Sequence, residues 1–175
     1  GKQEKAGGQI ILAAAPPKKD KTMWFVDDLV STCKELGVNI LLNTPATVEK
    51  IKELNPCTVV VATGSNPIKP KFNGSYDAEK VLTFEDILSG KVTLTNKKVA
   101  LIGSGMTGLE TAHTLIENGC KVTVVEMAKE IAPGTWMQHK DDVMPHLEKA
   151  DTKFMLGEKL CEINDGYIVT ENVKN

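Results

Sequence analysis

Lys97-Lys98-Val99-Ala100-Leu101-Ile102-Gly103-Ser104-Gly105-Met106-Thr107-Gly108-Leu109-Glu110 is the stretch that decides the fold of this chain. Residues 99–102 form a short apolar run of the kind that makes a buried strand. Glycines follow at Gly103, Gly105 and Gly108, in the spacing G-x-G-x-x-G. Beyond them Met106, Leu109, Ala112, Leu115 and Ile116 recur with helical period and share one face. Gly119, after Asn118, stands where a helix ends. Residues 122–125 are a second apolar run, which stops at Glu126. Strand, glycine turn, helix, strand and acid together make the dinucleotide-binding pattern.

Each glycine has a physical task in that pattern. Gly103 permits the tight turn out of the strand, Gly105 lets a pyrophosphate approach the backbone, and Gly108 lets the helix lie close on the strand. Ser104, Met106 and Thr107 complete the cofactor-binding turn. The helix N-terminus supplies N–H groups and partial positive charge to the phosphates. Glu126 lies 18 residues beyond Gly108 (positions 108 and 126), the distance expected for a carboxylate that accepts hydrogen bonds from an adenosine ribose.

Composition narrows the class of protein. With 175 residues the chain is long enough for one large domain or two small ones. A net charge of −2, without a basic stripe interleaved with aromatics, points away from nucleic acid. The longest strongly apolar stretch, residues 10–15, is far too short to span a bilayer, and no signal-peptide pattern precedes it. The expected partners therefore include neither nucleic acid nor membrane. Cys33, Cys57, Cys120 and Cys161 are scattered and form no C-x-x-C, which reads as reduced thiols in a cytoplasmic protein. His113, His139 and His146 show no ligand spacing to one another or to cysteine, so no metal site is expected.

Along the chain, Gly7-Gly8-Gln9 follows a polar start, and Pro16-Pro17 opens a lysine-rich loop. Thr22 is placed to cap a helix whose apolar face is Val26, Leu29, Val30, Cys33 and Leu36, ending at Gly37. Residues 38–42 and the β-branched run 58–62 read as strands. Between them residues 45–54 form a turn and a short helix. Pro67 and Pro70 exclude regular structure, and a domain boundary is expected within residues 72–78. Residues 82–88 form a short helix with Thr83 as cap. Residues 128–135 form a loop and 136–150 a helix, with Trp136 packed at a domain edge. Residues 153–156 make a third parallel strand. Asp165-Gly166, between apolar runs, marks a hairpin.

Gly7-Gly8-Gln9, then Ala62-Thr63-Gly64 with Pro67, then Gly-Ser-Gly-Met-Thr-Gly-Leu-Glu at 103–110 come in an order that resembles a known family. It is the FAD/NAD(P)-binding region of NADH:flavin oxidoreductases of the 2,4-dienoyl-CoA reductase and trimethylamine dehydrogenase type. The resemblance covers nearly the whole chain. It implies an α/β architecture: a Rossmann-like parallel-sheet NAD(P) domain over residues 76–175 and an incomplete FAD-domain lobe over residues 1–75. It also implies that the chain is an excised piece of a larger flavoenzyme, inactive by itself. The parent would pass hydride from NADH to FAD, and would carry FMN and an iron–sulfur cluster outside this piece. Its flavin domains become partners of this chain. Apolar surface exposed on the first lobe would allow homodimerisation.

The same resemblance sets the roles of single residues. Glu110, in the first helical turn, would lie near the nicotinamide and the flavin. Ala62, Thr63 and Gly64 would pass close to FAD without completing its site. From its chemistry alone, Glu126 accepts both ribose hydroxyls of NAD and repels a 2′-phosphate. A charge-assisted hydrogen bond is worth about 1.5–3 kcal/mol, so roughly 10- to 100-fold preference for NADH over NADPH is expected. Lys129 is the counterweight, since it could pair with a 2′-phosphate. No acid, base or nucleophile stands out as catalytic, which suits hydride transfer, where the cofactors carry the chemistry. The missing redox cysteine pair argues against a disulfide reductase. Two other readings stay open at this point. One is a non-catalytic dinucleotide-binding module. The other is the NAD(P)H module of a glutamate-synthase-like or ferredoxin-reductase-like flavoprotein.

Overall fold

A computed structural model describes residues 1–74 and 79–173. The chain divides into two compact units, Gly1–Ile68 and Lys69–Asn175. The boundary expected at residues 75 and 76 lies outside the described residues.

The first unit contains helices α1 (Ile10–Ala13), α2 (Thr22–Glu35) and α3 (Val48–Leu54). Thr22 is not the cap of α2. It is the first helical residue, Lys21 precedes it as N-cap, and no side chain caps that end. At α3 a side-chain cap does form: the Lys50 N–H donates to Thr47 Oγ1 at 3.3 Å. α2 ends as its sequence predicts, with Gly37 at φ +73° and Val38 N–H donating back to the Cys33 carbonyl at 2.8 Å.

The two expected strands of this unit do not form. Residues 38–42 and 58–62 lie outside any sheet among the described residues. Val60 and Val61 are 85% and 79% exposed. A β-branched run favours a strand only where a neighbouring strand takes up its backbone hydrogen bonds and packs its faces. Near the first run, Asn43 and Thr44 N–H donate to the Gln3 and Gly1 carbonyls at 2.8 and 2.7 Å, which ties down the end of the segment without building a sheet.

The second unit opens with α4 (Phe84–Leu88), β1 (Lys98–Ile102), α5 (Met106–Glu117) and β2 (Lys121–Glu126). It continues with α6 (Met137–Lys149), β3 (Lys153–Leu156), β4 (Glu158–Ile163) and β5 (Ile168–Asn172). Thr83 caps α4 as expected and completes a capping box: Asp86 N–H donates to its hydroxyl, and Thr83 N–H donates back to the Asp86 carboxylate at 2.9 Å. β1, β2 and β3 form a parallel sheet in that order. Lys98 pairs with Lys121 at one end of β1 and Ile102 with Val125 at the other. β4 and β5 form the antiparallel hairpin predicted around Asp165-Gly166. This is the mixed α/β, Rossmann-like architecture expected from the sequence.

The core of this unit lies between the sheet and two helices. Leu109, Ala112 and Leu115 of α5 pack with Val124 of β2 and with Val143 and Leu147 of α6. Met106 and Ile116 flank that core, so the predicted face of α5 is the face that packs. Each fully buried leucine contributes about 1.5–3 kcal/mol of burial free energy. Trp136 departs from expectation: it is the N-cap of α6 and stays exposed rather than packing at an edge. Among the described residues no helix is long and apolar enough to cross a membrane.

Candidate dinucleotide-binding site

The backbone leaves β1 at Gly103 with φ +97°, a conformation that a side chain disfavours. Gly103 N–H donates to the Val125 carbonyl at 2.8 Å, so the turn is anchored on the sheet. α5 then begins at Met106 with Gly105 as N-cap, which has no side chain to cap the helix. The N-terminus of this 12-residue helix carries partial positive charge and N–H groups that suit an anion. A Cβ placed on Gly105 would meet nothing within 4 Å, so the space before the helix is open. A Cβ on Gly108 would lie 2.2 Å from the Gly103 carbonyl oxygen. The third glycine therefore allows helix and turn to touch, and the second leaves room for a ligand.

Ser104, between the first two glycines, is fully buried. Its N–H and hydroxyl donate to Glu126 Oε2 at 2.7 and 2.8 Å. The same hydroxyl accepts the Ala132 N–H at 2.9 Å. Ala128 N–H donates to the other carboxylate oxygen, Oε1, at 2.7 Å. Burial alone would raise the Glu126 pKa. The hydrogen bonds from Ala128, Ser104 and Met127 outweigh it and hold the carboxyl below its ordinary value, so it is ionised at neutral pH. Both carboxylate oxygens are engaged by the protein, Oε2 by Ser104 and Oε1 by Ala128. Glu126 is thus the clasp of the glycine turn as well as an acceptor beside it. Sequence reasoning found Ser104 and Glu126 separately and missed that they bind each other.

The other expected residues fall in three places. Met106 and Thr107 form the first turn of α5, Met106 half-buried and Thr107 exposed. Glu110 is not in that first turn. α5 starts at Met106, which puts Glu110 in the second turn, and it is buried at 7% exposure. Lys129 is exposed in the loop after Glu126. Ile102, Met127 and Met155, at or beside the C-terminal ends of the three parallel strands, are exposed apolar residues. In open parallel sheets ligands bind in the crevice outside those ends.

Ala62, Thr63 and Gly64 lie in the first unit and are exposed, with Gly64 at φ +81°. Their neighbour Ser65 is held by Gln9: Gln9 Nε2 donates to the Ser65 carbonyl at 2.7 Å and Ser65 Oγ donates to Gln9 Oε1 at 3.3 Å. The two short motifs, far apart in sequence, are therefore adjacent in space.

The histidines correct the sequence reading. His113 is buried, and its ring stacks on His146 with centroids 4.4 Å apart. Packing of α5 against α6 brings them together, a contact invisible in linear spacing.

A parallel sheet, a glycine turn at the start of its crossover helix and an acid closing the next strand define a Rossmann-type nucleotide-binding domain. The chain belongs to the pyridine nucleotide-disulphide oxidoreductase family, whose profile matches residues 29–175. That family binds FAD and nicotinamide dinucleotide. The chain is 37% identical to an NADH oxidase of Thermoanaerobacter brockii over 165 residues, covering 93% of this chain and 25% of that protein. It is 34% identical to a bilirubin reductase of Mediterraneibacter gnavus, covering 99% of this chain and 27% of that protein. Among solved structures it superposes on 2-naphthoyl-CoA reductase in complex with 2-naphthoyl-CoA with a TM-score of 0.87 at 31% identity. That match covers 98% of this chain and 26% of the other. The chain spans about a quarter of the length of the curated relatives it matches.

Proposed function

We propose that this chain is the NADH-binding module of a larger flavin-dependent oxidoreductase of the 2,4-dienoyl-CoA reductase and trimethylamine dehydrogenase type. The observation that carries the proposal is the ionised Glu126 carboxylate, clasped to Ser104 beside the open N-terminus of α5. The pyrophosphate belongs at Gly105, Met106 and Thr107, where the helix offers N–H groups and positive potential. The adenosine ribose belongs at Glu126, whose carboxylate accepts from its hydroxyls. A 2′-phosphate there would meet a fixed negative charge, so NADH is the preferred nucleotide. The exposed apolar residues at the strand ends suit the aromatic rings of the ligand.

When bound, the nicotinamide supplies a hydride, and FAD held by other parts of the parent accepts it. This chain's residues bind and orient. Gly103 and Gly108 set the turn, Ser104 fixes the carboxylate, and Glu110 supports the nicotinamide end of the pocket. On the first unit, Gln9 holds Ser65, next to the Ala62-Thr63-Gly64 segment that we assign to one side of the flavin. In the parent, a partner domain would use those electrons to reduce an activated double bond, and the isolated chain would not turn over.

Calorimetric titration with NADH and, separately, NADPH tests this reading. NADH is expected to bind roughly 10- to 100-fold more tightly, the worth of a charge-assisted hydrogen bond. Preference for NADPH would move selection to Lys129. Binding of neither would overturn the proposal.

A further inference from the structure

His113, Glu117 and His146 stand together at the end of α5 remote from the glycine turn. His113 and Glu117 are four residues apart on α5, on one helix face, with His113 Nε2 3.7 Å from Glu117 Oε1. His146 lies in the last turn of α6, and its ring stacks on that of His113 with an interplanar angle of 20°. One donor atom from each of the three lies within 4.8 Å of the other two. None of these residues has a task at the dinucleotide site.

We propose that these three side chains form a binding site for a divalent late transition ion of the Zn²⁺ class, bridging α5 and α6. Two imidazole nitrogens and one carboxylate oxygen make a donor set that suits Zn²⁺, Ni²⁺ or Cu²⁺ and does not suit Mg²⁺ or Ca²⁺. Three protein ligands leave the fourth position to water, as in open zinc sites. The field favours a cation as well. The site sits against the C-terminal ends of two helices, where carbonyl dipoles carry partial negative charge.

Closing the site needs only side-chain movement. Bonds of about 2.0–2.2 Å in tetrahedral geometry place ligand atoms about 3.3–3.5 Å apart. The His113 side chain is 6% exposed and fixed by the core, whereas Glu117 is 59% exposed and free to swing. His146 is half-buried at the helix edge. Turning its ring out of the stack, and rotating Glu117 inward, directs all three donors at one point beside the nitrogen of His113. The ion would then hold α6 to the helix that carries the glycine turn.

The test is titration of chelator-treated chain with ZnCl₂, followed by calorimetry and thermal unfolding, with Co²⁺ absorption as a reporter of ligand geometry. A single site per chain is expected, with a raised unfolding midpoint and tetrahedral Co²⁺ bands, and no heat with MgCl₂. Glu117→Gln and His146→Gln, both outside the core, should each weaken Zn²⁺ binding at least tenfold. Circular dichroism of the metal-free variants checks that they fold. Absence of binding up to about 100 µM Zn²⁺ would overturn the proposal, being far weaker than a three-ligand site provides. Binding undiminished in both variants would place the ion elsewhere and overturn it equally.

Discussion

Ser104 and Glu126 are joined by two hydrogen bonds to a single oxygen: the Ser104 N–H and hydroxyl both donate to Glu126 Oε2, at 2.7 and 2.8 Å. The hydroxyl is also the acceptor for Ala132 N–H. Ser104→Ala removes a bond to a charged group and leaves a buried N–H without that acceptor. Destabilisation of the second unit by about 3 kcal/mol is expected. NADH affinity should fall roughly tenfold, about 1.4 kcal/mol, because Glu126 loses one of the bonds that fix its orientation. Urea unfolding and calorimetry on the same preparation measure both.

Acid should weaken the second unit through two carboxylates. Hydrogen bonds from Thr83 and from Lys91 hold Asp86 at about 2, well below its ordinary value of 3.8. Glu126 is also held below its ordinary 4.5. Both folded values are depressed, so both groups contribute stability above their unfolded pKa and lose it as pH falls through the folded one. The urea midpoint should therefore start to fall near pH 4.5 and continue to about pH 2. Glu126→Gln and Asp86→Asn should each flatten that profile. A midpoint unchanged down to pH 3 in the wild-type chain would contradict both assignments.

Two glycines of one motif should respond in opposite ways. Gly105→Ala places its Cβ in open space at a backbone φ of −56°, so stability should stay within about 0.5 kcal/mol. Its NADH binding should be lost, because the added methyl occupies the approach to the phosphates. Gly108→Ala drives its Cβ against the Gly103 carbonyl oxygen, a backbone atom that cannot swing away. That overlap should cost about 3 kcal/mol. Thermal unfolding together with nucleotide titration separates the two effects. Equal loss of stability in both variants would show that the second glycine is structural.

The second unit was legible because its signals are local. Apolar runs, glycine spacing, the Thr83 cap and the Asp165-Gly166 turn each involve residues within a few positions of one another. In the first unit α2 and α3 were legible in the same way, but the two strands were misread for the opposite reason. Residues 38–42 and 58–62 have strand composition, but a strand is defined by its partners, and composition does not say whether partners exist. The site divides in the same way. Gly103, Gly105, Gly108 and Glu126 follow from spacing. The bonds from Ser104 to Glu126 and from Ala132 to Ser104 arise where β1, β2 and the loop after β2 converge, and no periodicity marks that point. The contact of His113 with His146 depends likewise on how α5 meets α6.

Three helices end in the same pair of reversed hydrogen bonds, and one of them does so with the less suitable residue. After α2 and α5 the position beyond the cap is Gly37 and Gly119, at φ +73° and +76°. After α6 it is Asp151, at φ +54°, with Thr152 N–H donating to the Leu147 carbonyl at 3.0 Å and Asp151 N–H to the Glu148 carbonyl at 2.9 Å. An L-residue held in the left-handed region pays about 1–2 kcal/mol that glycine does not, though aspartate tolerates it better than most. Asp151→Gly should therefore stabilise the second unit by about 0.5–1 kcal/mol, the gain being trimmed by the larger backbone entropy of glycine in the unfolded chain. For a domain of this size that is a rise of a few degrees in Tm. The substitution lies beyond the end of α6 and away from the glycine turn, so NADH affinity should not change. A lower Tm would mean that the Asp151 carboxylate contributes more to the helix end than its backbone conformation costs.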